Sequence, residues 1–148
     1  MNTEDLLRSL NAHKVEFVII GATAFPIHGY ARATLDIDLF IRPEHRNADR
    51  VLGALRDFGY DTAEITREDL LAKKVLIRQY LVETDIHPFV AGITFDQVWK
   101  NRVPGTYGEE KVYYASLEDL ITMKAAAGRP KDLEDLKVLK LLKQKKSD

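Results

Sequence analysis

The stretch Arg32-Ala33-Thr34-Leu35-Asp36-Ile37-Asp38-Leu39-Phe40 sets two carboxylates two residues apart inside an apolar run that continues to Ile41. On a strand alternate side chains share a face, so Asp36 and Asp38 point one way and Ile37, Leu39 and Ile41 the other. Burying the apolar face leaves two like charges side by side, each raising the other's pKa unless a cation lies between them. A divalent metal is the obvious cation. Hard oxygen ligands suit magnesium or manganese, which keep several waters and also accept phosphate oxygens. Taken alone, an Asp-x-Asp pair is equally the mark of an exposed edge strand carrying solvated charge.

The segment upstream shifts that balance. A β-branched run, Val15-Glu16-Phe17-Val18-Ile19-Ile20, ends at Gly21-Ala22-Thr23-Ala24, the pattern of a strand turning tightly into a helix. Gly21 lets the backbone approach a ligand closely, and the amides that open the next helix, expected over 22–29, can bind an anion such as phosphate. Metal carboxylates beside a phosphate-facing turn make a nucleoside triphosphate site.

With these residues in view, the chain resembles the nucleotidyltransferases of the DNA polymerase beta superfamily. Their pattern is a strand ending in Gly-Gly or Gly-Ser, a helix, and a strand carrying D-x-D; here it reads Gly21-Ala22 followed by Asp36-Ile37-Asp38. Ala22 replaces the second glycine or serine and removes a hydroxyl contact to phosphate. A third acid comes from a later strand, and Asp85 in Leu81-Val82-Glu83-Thr84-Asp85-Ile86-His87 matches it best. His28-Gly29-Tyr30-Ala31-Arg32-Ala33-Thr34 is similar to the H-G-x-x-R-x-T that precedes D-x-D in a small-protein branch. Lys124 to Leu136 resembles the K-x4-R-x-K-D-x-x-D-L block of abortive-infection toxin nucleotidyltransferases and their relatives.

The resemblance implies a minimal α/β (α+β) fold, a mixed central sheet flanked by helices, with two C-terminal helices closing a nucleotide cleft. It implies that Asp36, Asp38 and Asp85 hold Mg2+ or Mn2+, one ion on the triphosphate and a second, about 3.5–4 Å away, on the attacking hydroxyl. Asp85 would also accept the hydroxyl proton, and attack at the α-phosphorus would expel pyrophosphate. Gly21, Ala22, Arg32, Thr34, Lys124, Arg129 and Lys131 would bind the nucleotide. The acceptor, a hydroxyl on tRNA, on a protein or on a small molecule, is open, as is a cognate toxin or antitoxin partner.

Each assignment has a plainer counterpart. Asp85 also reads as an edge-strand or turn aspartate, Arg32 as a salt-bridge partner of Asp36 or Asp38, and Lys124, Arg129 and Lys131 as a solvated helix junction beside Asp132 and Asp135. His28 and His87, near the aspartates, suggest a zinc or manganese hydrolase site as a second reading, although no tightly spaced histidine pair supports it. Tyr30, Tyr80, Tyr107, Tyr113 and Trp99 could stack a base or simply pack. At the level of function the alternatives to a transferase are a non-catalytic antitoxin or partner-binding module and a metal-dependent phosphohydrolase.

The 148 residues fit one domain, 1–148, with a sheet core over about 1–115 and helices over about 116–145. Without cysteine there is no disulfide framework and no cysteine-based zinc site. The apolar runs are too short to span a bilayer and the N-terminus lacks a signal core, so a soluble, cytoplasmic protein with no membrane partner is expected. Net charge is −1, with +3 over residues 129–148 and −4 over the rest. Lys137, Lys140, Lys143, Lys145 and Lys146 are either a patch for phosphate or RNA or, preferably, a solvated helix end complementing its dipole.

Remaining elements follow from caps and periodicity. Asn2 or Thr3 caps a helix with Leu6, Leu7 and Leu10 on one face, and Pro43 and Asn47 introduce a helix stopped by Gly59. Ile65–Ala72 and Phe95–Arg102 read as short helices. Val75 to Val82 reads as one strand running on, through a bulge, to Asp85. After Pro104-Gly105 a strand covers about 111–115. Ser116 caps the next helix, Gly128 ends it, and Pro130 opens a last one carrying Leu133, Leu136, Leu139 and Leu142.

Overall fold

Reciprocal capping starts the chain: Asn2 Oδ1 accepts from the Asp5 N–H and the Asp5 carboxylate accepts from the Asn2 N–H, opening α1 (Thr3–Ala12). The computed structural model describes residues 1–147, so Asp148, the end of the span read as one domain, lies outside them. After α1 the chain enters β1 (Phe17–Ile20), passes through two 3-10 turns and returns as β2 (Asp36–Ile41). Helices α2 (His45–Phe58) and α3 (Arg67–Ala72) then carry it across to β3 (Val75–Gln79) and β4 (Val82–His87). Helix α4 (Phe95–Lys100), the hairpin of β5 (Val103–Tyr107) and β6 (Glu110–Tyr114), and helices α5 (Leu117–Ala127) and α6 (Pro130–Ser147) complete it.

The six strands form one mixed sheet in the order β3-β4-β2-β1-β6-β5. Strand β2 runs antiparallel to β1 and parallel to β4, and β6 runs parallel to β1. A parallel neighbour needs a crossover, and the α2–α3 segment supplies it between β2 and the β3–β4 hairpin. Ile37, Leu39 and Ile41 are buried in one core with Leu6, Leu10, Val51 and Leu55. The alternation read from the sequence is therefore the alternation that separates core from acids. Asn47, buried at the start of α2, fastens the far end of the β1–β2 pair: it accepts from the Glu16 N–H and donates to the Glu16 and Arg42 carbonyls.

Four local expectations are corrected. In place of a helix over 22–29 the chain makes 3-10 turns over Gly21–Ala24 and Pro26–His28. Pro26 has no N–H to give the Ala22 carbonyl, so the first turn closes through the Phe25 N–H instead. The run from Val75 to Asp85 is a tight hairpin and not one bulged strand, with Gln79 opposite Val82 and Tyr80 in the left-handed region at φ 59°. No glycine or asparagine announces that turn; Tyr80 holds it by donating its hydroxyl to the Gly59 carbonyl and stacking on Tyr60. Pro104-Gly105, expected only to precede a strand, lies within edge strand β5, where proline's missing N–H costs little. On α6, Leu133 is exposed, and Asp132 and Asp135 take buried positions with Leu136 and Leu139.

No helix among the described residues is long and apolar enough to cross a membrane. Asn47→Ala leaves the Glu16 N–H without its partner, worth about 1–3 kcal/mol for a buried group, while the Glu16 and Arg42 carbonyls keep the Arg42 and Glu44 N–H groups. Urea denaturation should show a loss of about 1–3 kcal/mol, and a loss below about 0.5 kcal/mol would contradict the clamp.

Candidate active site

Register, more than sequence spacing, assembles the acids. Asp38 lies opposite Asp85 and Asp36 opposite Glu83 on the paired parallel strands β2 and β4. In-register residues on neighbouring strands point to the same side, so Asp36, Asp38, Glu83 and Asp85 share one face and His87 continues their row. Thr84 and Ile86, between them, are fully buried on the reverse face. Glu83 could have been found from the period of two around Asp85, the same period that puts His87 on this face. Glu83 completes an E-x-D-x-H row with Asp85 and His87, and it is the member that the search for three acids passed over.

Four carboxylates on one face require partners, and two side chains from outside the acid set meet them, the Arg78 guanidinium and the His87 ring. Arg78, on β3, donates from Nη1 to Asp85 Oδ1 at 2.7 Å, with Nη2 3.8 Å from Asp36 and Nε 3.9 Å from Glu83. His87 Nε2 lies 2.8 Å from Asp38 Oδ1. The Glu83 carboxyl is raised above its ordinary range, first because it shares a hydrogen bond with Asp36. No signal in the sequence ties Arg78 to the acids, because its place depends on the unannounced turn at Tyr80.

The turn after β1 backs directly onto this face. Gly21 adopts φ +70°, and a Cβ built there would stand 2.5 Å from Asp38 Oδ2, so conformation and space both demand glycine. Ala22 and Thr23 follow in the same turn, and Thr23 Oγ1 donates to the Asp36 carbonyl at 3.3 Å. Thr34 stands before the strand and not on it; its hydroxyl donates to the Asp36 carbonyl and accepts from the Asp36 N–H. A cleft of about 250 Å3 lies here, lined by Ala22, Thr23, Arg32, Thr34, Asp36 and Tyr107, among others.

Arg32 also precedes β2, and its partner is neither Asp36 nor Asp38. Its Nη1 donates to Asp135 Oδ2 at 2.6 Å, and Tyr30 donates its hydroxyl to Oδ1 of the same carboxylate. Lys124 bridges Asp132 and Asp135 at 3.2 and 3.1 Å, and Arg129 holds Asp132 through Nε at 2.6 Å. The junction between α5 and α6 is thus a buried ionic lock and not a solvated one. Burial alone would raise the Asp132 carboxyl, but Arg129 and Lys124 outweigh it and hold it down at about 2. Arg129 is close enough to Asp38 for that charge to favour its guanidinium, after the larger effect of Asp132. Lys131 is exposed and joins neither the lock nor the acid face.

Other candidates lie elsewhere. His28 is buried with Nε2 on the Ala115 carbonyl, so it does not join Asp36 and Asp38 in a transition-metal site. Tyr30 stacks on Phe25, Tyr80 on Tyr60, and Trp99 meets Tyr113 edge-on, while Tyr107 alone of the aromatics weighed borders the cleft beside Asp36. At the C-terminus Lys137 pairs with Glu134 and Lys143 with Glu118.

The donor chemistry at the acid face fits a hard divalent ion, since all four carboxylates offer oxygen and Asp38 and Asp85 are strand neighbours. Among the described residues no three acids or histidines converge on one point. Arg78 and His87 draw Asp85 and Asp38 to themselves, so convergence requires those carboxylates to turn away from their present partners.

Two measurements probe this arrangement. Gly21→Ala should destabilise by about 1–2 kcal/mol from the left-handed backbone alone, and urea denaturation matching wild type would show the turn to be freer than described. A carboxyl held lower in the folded than in the unfolded chain stabilises above its unfolded value and yields that stability as pH falls. For Asp132 the window runs from the ordinary 3.8 down to about 2. Wild-type stability should fall across that window more steeply than that of Asp132→Asn, which should itself be less stable at pH 7; parallel curves would remove the lock's role.

Comparison with known proteins agrees with this architecture. The chain superposes on the crystal structure of the lincosamide antibiotic adenylyltransferase LnuA, lincomycin-bound, with a TM-score of 0.59 and 18% identity over 95% of this chain and 97% of that one. That likeness shows a shared fold with an adenylyltransferase, in keeping with the nucleotidyltransferase fold that the resemblance around Gly21, Asp36, Asp38 and Asp85 implied. No curated protein matches the sequence. Residues 2–147 match the family described as nucleotidyltransferase of unknown function (DUF6036), and the chain belongs to that family.

Proposed function

We propose that this nucleotidyltransferase moves a nucleoside monophosphate from a nucleoside triphosphate to a hydroxyl on a small molecule, releasing pyrophosphate. The observation that carries the reading is the in-register pair of Asp38 and Asp85, flanked by Asp36 and backed by the Gly21 turn. Asp36, Asp38 and Asp85 would hold Mg2+ or Mn2+, which when bound would stabilise charge on the phosphates and on the attacking oxygen. The chain's own residues do the rest. Gly21 and Ala22 would leave room for phosphate against the turn, and Asp85, the most enclosed of the acids, would take the acceptor's proton.

Arg32, Lys124 and Arg129 reach the nucleotide side only as far as Asp132 and Asp135 allow, which makes them positioned charges and not free tethers. A small acceptor is favoured by a net charge of −1, which gives no footprint for nucleic acid. Agreement in fold with an enzyme that adenylylates a lincosamide antibiotic supports the same choice.

The test combines Mg2+ and each labelled triphosphate with a small-molecule extract. Pyrophosphate release with one labelled metabolite is expected, with rates falling about 10²–10³-fold in Asp38→Asn. Orthophosphate in place of pyrophosphate would mean a phosphohydrolase. Nucleotide binding without turnover would mean a partner-binding module.

A further inference from the structure

Arg78 sits where the chemistry proposed above needs a metal. Its guanidinium touches carboxylates from two strands, at 2.7 Å to Asp85, 3.8 Å to Asp36 and 3.9 Å to Glu83. Asp36 and Asp85 are two of the three acids assigned to the divalent ion, so guanidinium and ion draw on the same oxygens. The two partners differ in freedom. The Asp85 side chain is only 11% exposed, whereas that of Arg78 is 41% exposed and projects from edge strand β3, so the arginine is the group that can leave.

Resting on the metal-site reading above, we propose that Arg78 gates metal loading: it disfavours a bare divalent ion and admits one that arrives with a triphosphate. A bare ion must displace the guanidinium into water and receives nothing in exchange. An ion carrying a triphosphate brings anionic oxygens that Arg78 can grip with its planar fork once it releases Asp85. The guanidinium thereby offsets part of the charge of the empty acid face, and Arg78 passes from counter-ion to phosphate ligand as the site fills. A purely structural Arg78, tying β3 to its opposed residue Glu83 on β4, would instead affect stability and leave metal affinity alone.

Mn2+ binding to the full chain, followed by electron paramagnetic resonance with and without a non-hydrolysable α,β-methylene triphosphate, separates these roles. For wild type we expect weak Mn2+ binding alone and a marked gain with the analogue. Arg78→Ala should bind Mn2+ alone roughly tenfold more tightly, because a cation within hydrogen-bond range has gone, and should gain less from the analogue. Arg78→Gln keeps a hydrogen-bond donor without the charge and should behave like Arg78→Ala, which guards against an effect of misfolding in either variant. Unchanged or weaker Mn2+ affinity in both variants would overturn the gate while leaving the metal site standing. If Mn2+ binds none of the three proteins even with the analogue, the metal-site reading falls and the gate with it.

Discussion

Like charges on one face of a sheet are the constraint from which the rest of the site follows. Asp36, Asp38, Glu83 and Asp85 occupy neighbouring positions on β2 and β4, and their backs are committed to a core of Ile37, Leu39, Thr84 and Ile86. A one-residue slip of either strand would bury acids and expose the core, so the register that makes the site is also the one that makes the fold. What remains to be solved is charge. The protein answers locally with the Arg78 guanidinium on Asp85 and the His87 ring on Asp38.

A second, inverted arrangement lies on the C-terminal helices. There the acids, Asp132 and Asp135, are buried, and cations from three places in the chain, Arg32, Lys124 and Arg129, gather around them. A buried carboxylate is tolerable only when paired, so each arginine or lysine is held by the cost of leaving an acid alone. The consequence for function is positional: α5, α6 and the segment before β2 are tied together, and Arg129 is brought within electrostatic reach of Asp38. The same device explains why α6 carries two aspartates where a plain amphipathic pattern would place leucines.

Much of this was legible in the residues alone. Asp36-Ile37-Asp38 announces a strand with a charged face because alternation is local, and Gly21 announces a tight turn because few residues tolerate that backbone. The Lys124–Leu136 block was legible as a unit by resemblance, although its burial was not: adjacent charges look solvated until the partner on a distant loop, Arg32, is placed. Arg78 was out of reach for a different reason. Its neighbourhood to Asp85 is created by a hairpin whose turn, Tyr80-Leu81, lacks the usual chemistry and is stabilised by a tertiary contact to Gly59. Pro104-Gly105 misleads in the same way, since only an edge position reconciles it with a strand.

The central claim is that the acid face of β2 and β4 receives the metal–triphosphate complex. Paramagnetic broadening of backbone amide signals by Mn2+ with a non-hydrolysable triphosphate tests it most directly, because it reports where the ion sits without requiring the acceptor. The account predicts that signals from residues 20–23, 36–38 and 83–87 vanish first. Broadening centred instead on the separate cavity lined by Trp99, Lys111 and Tyr113, or on the C-terminal lysines, would contradict it.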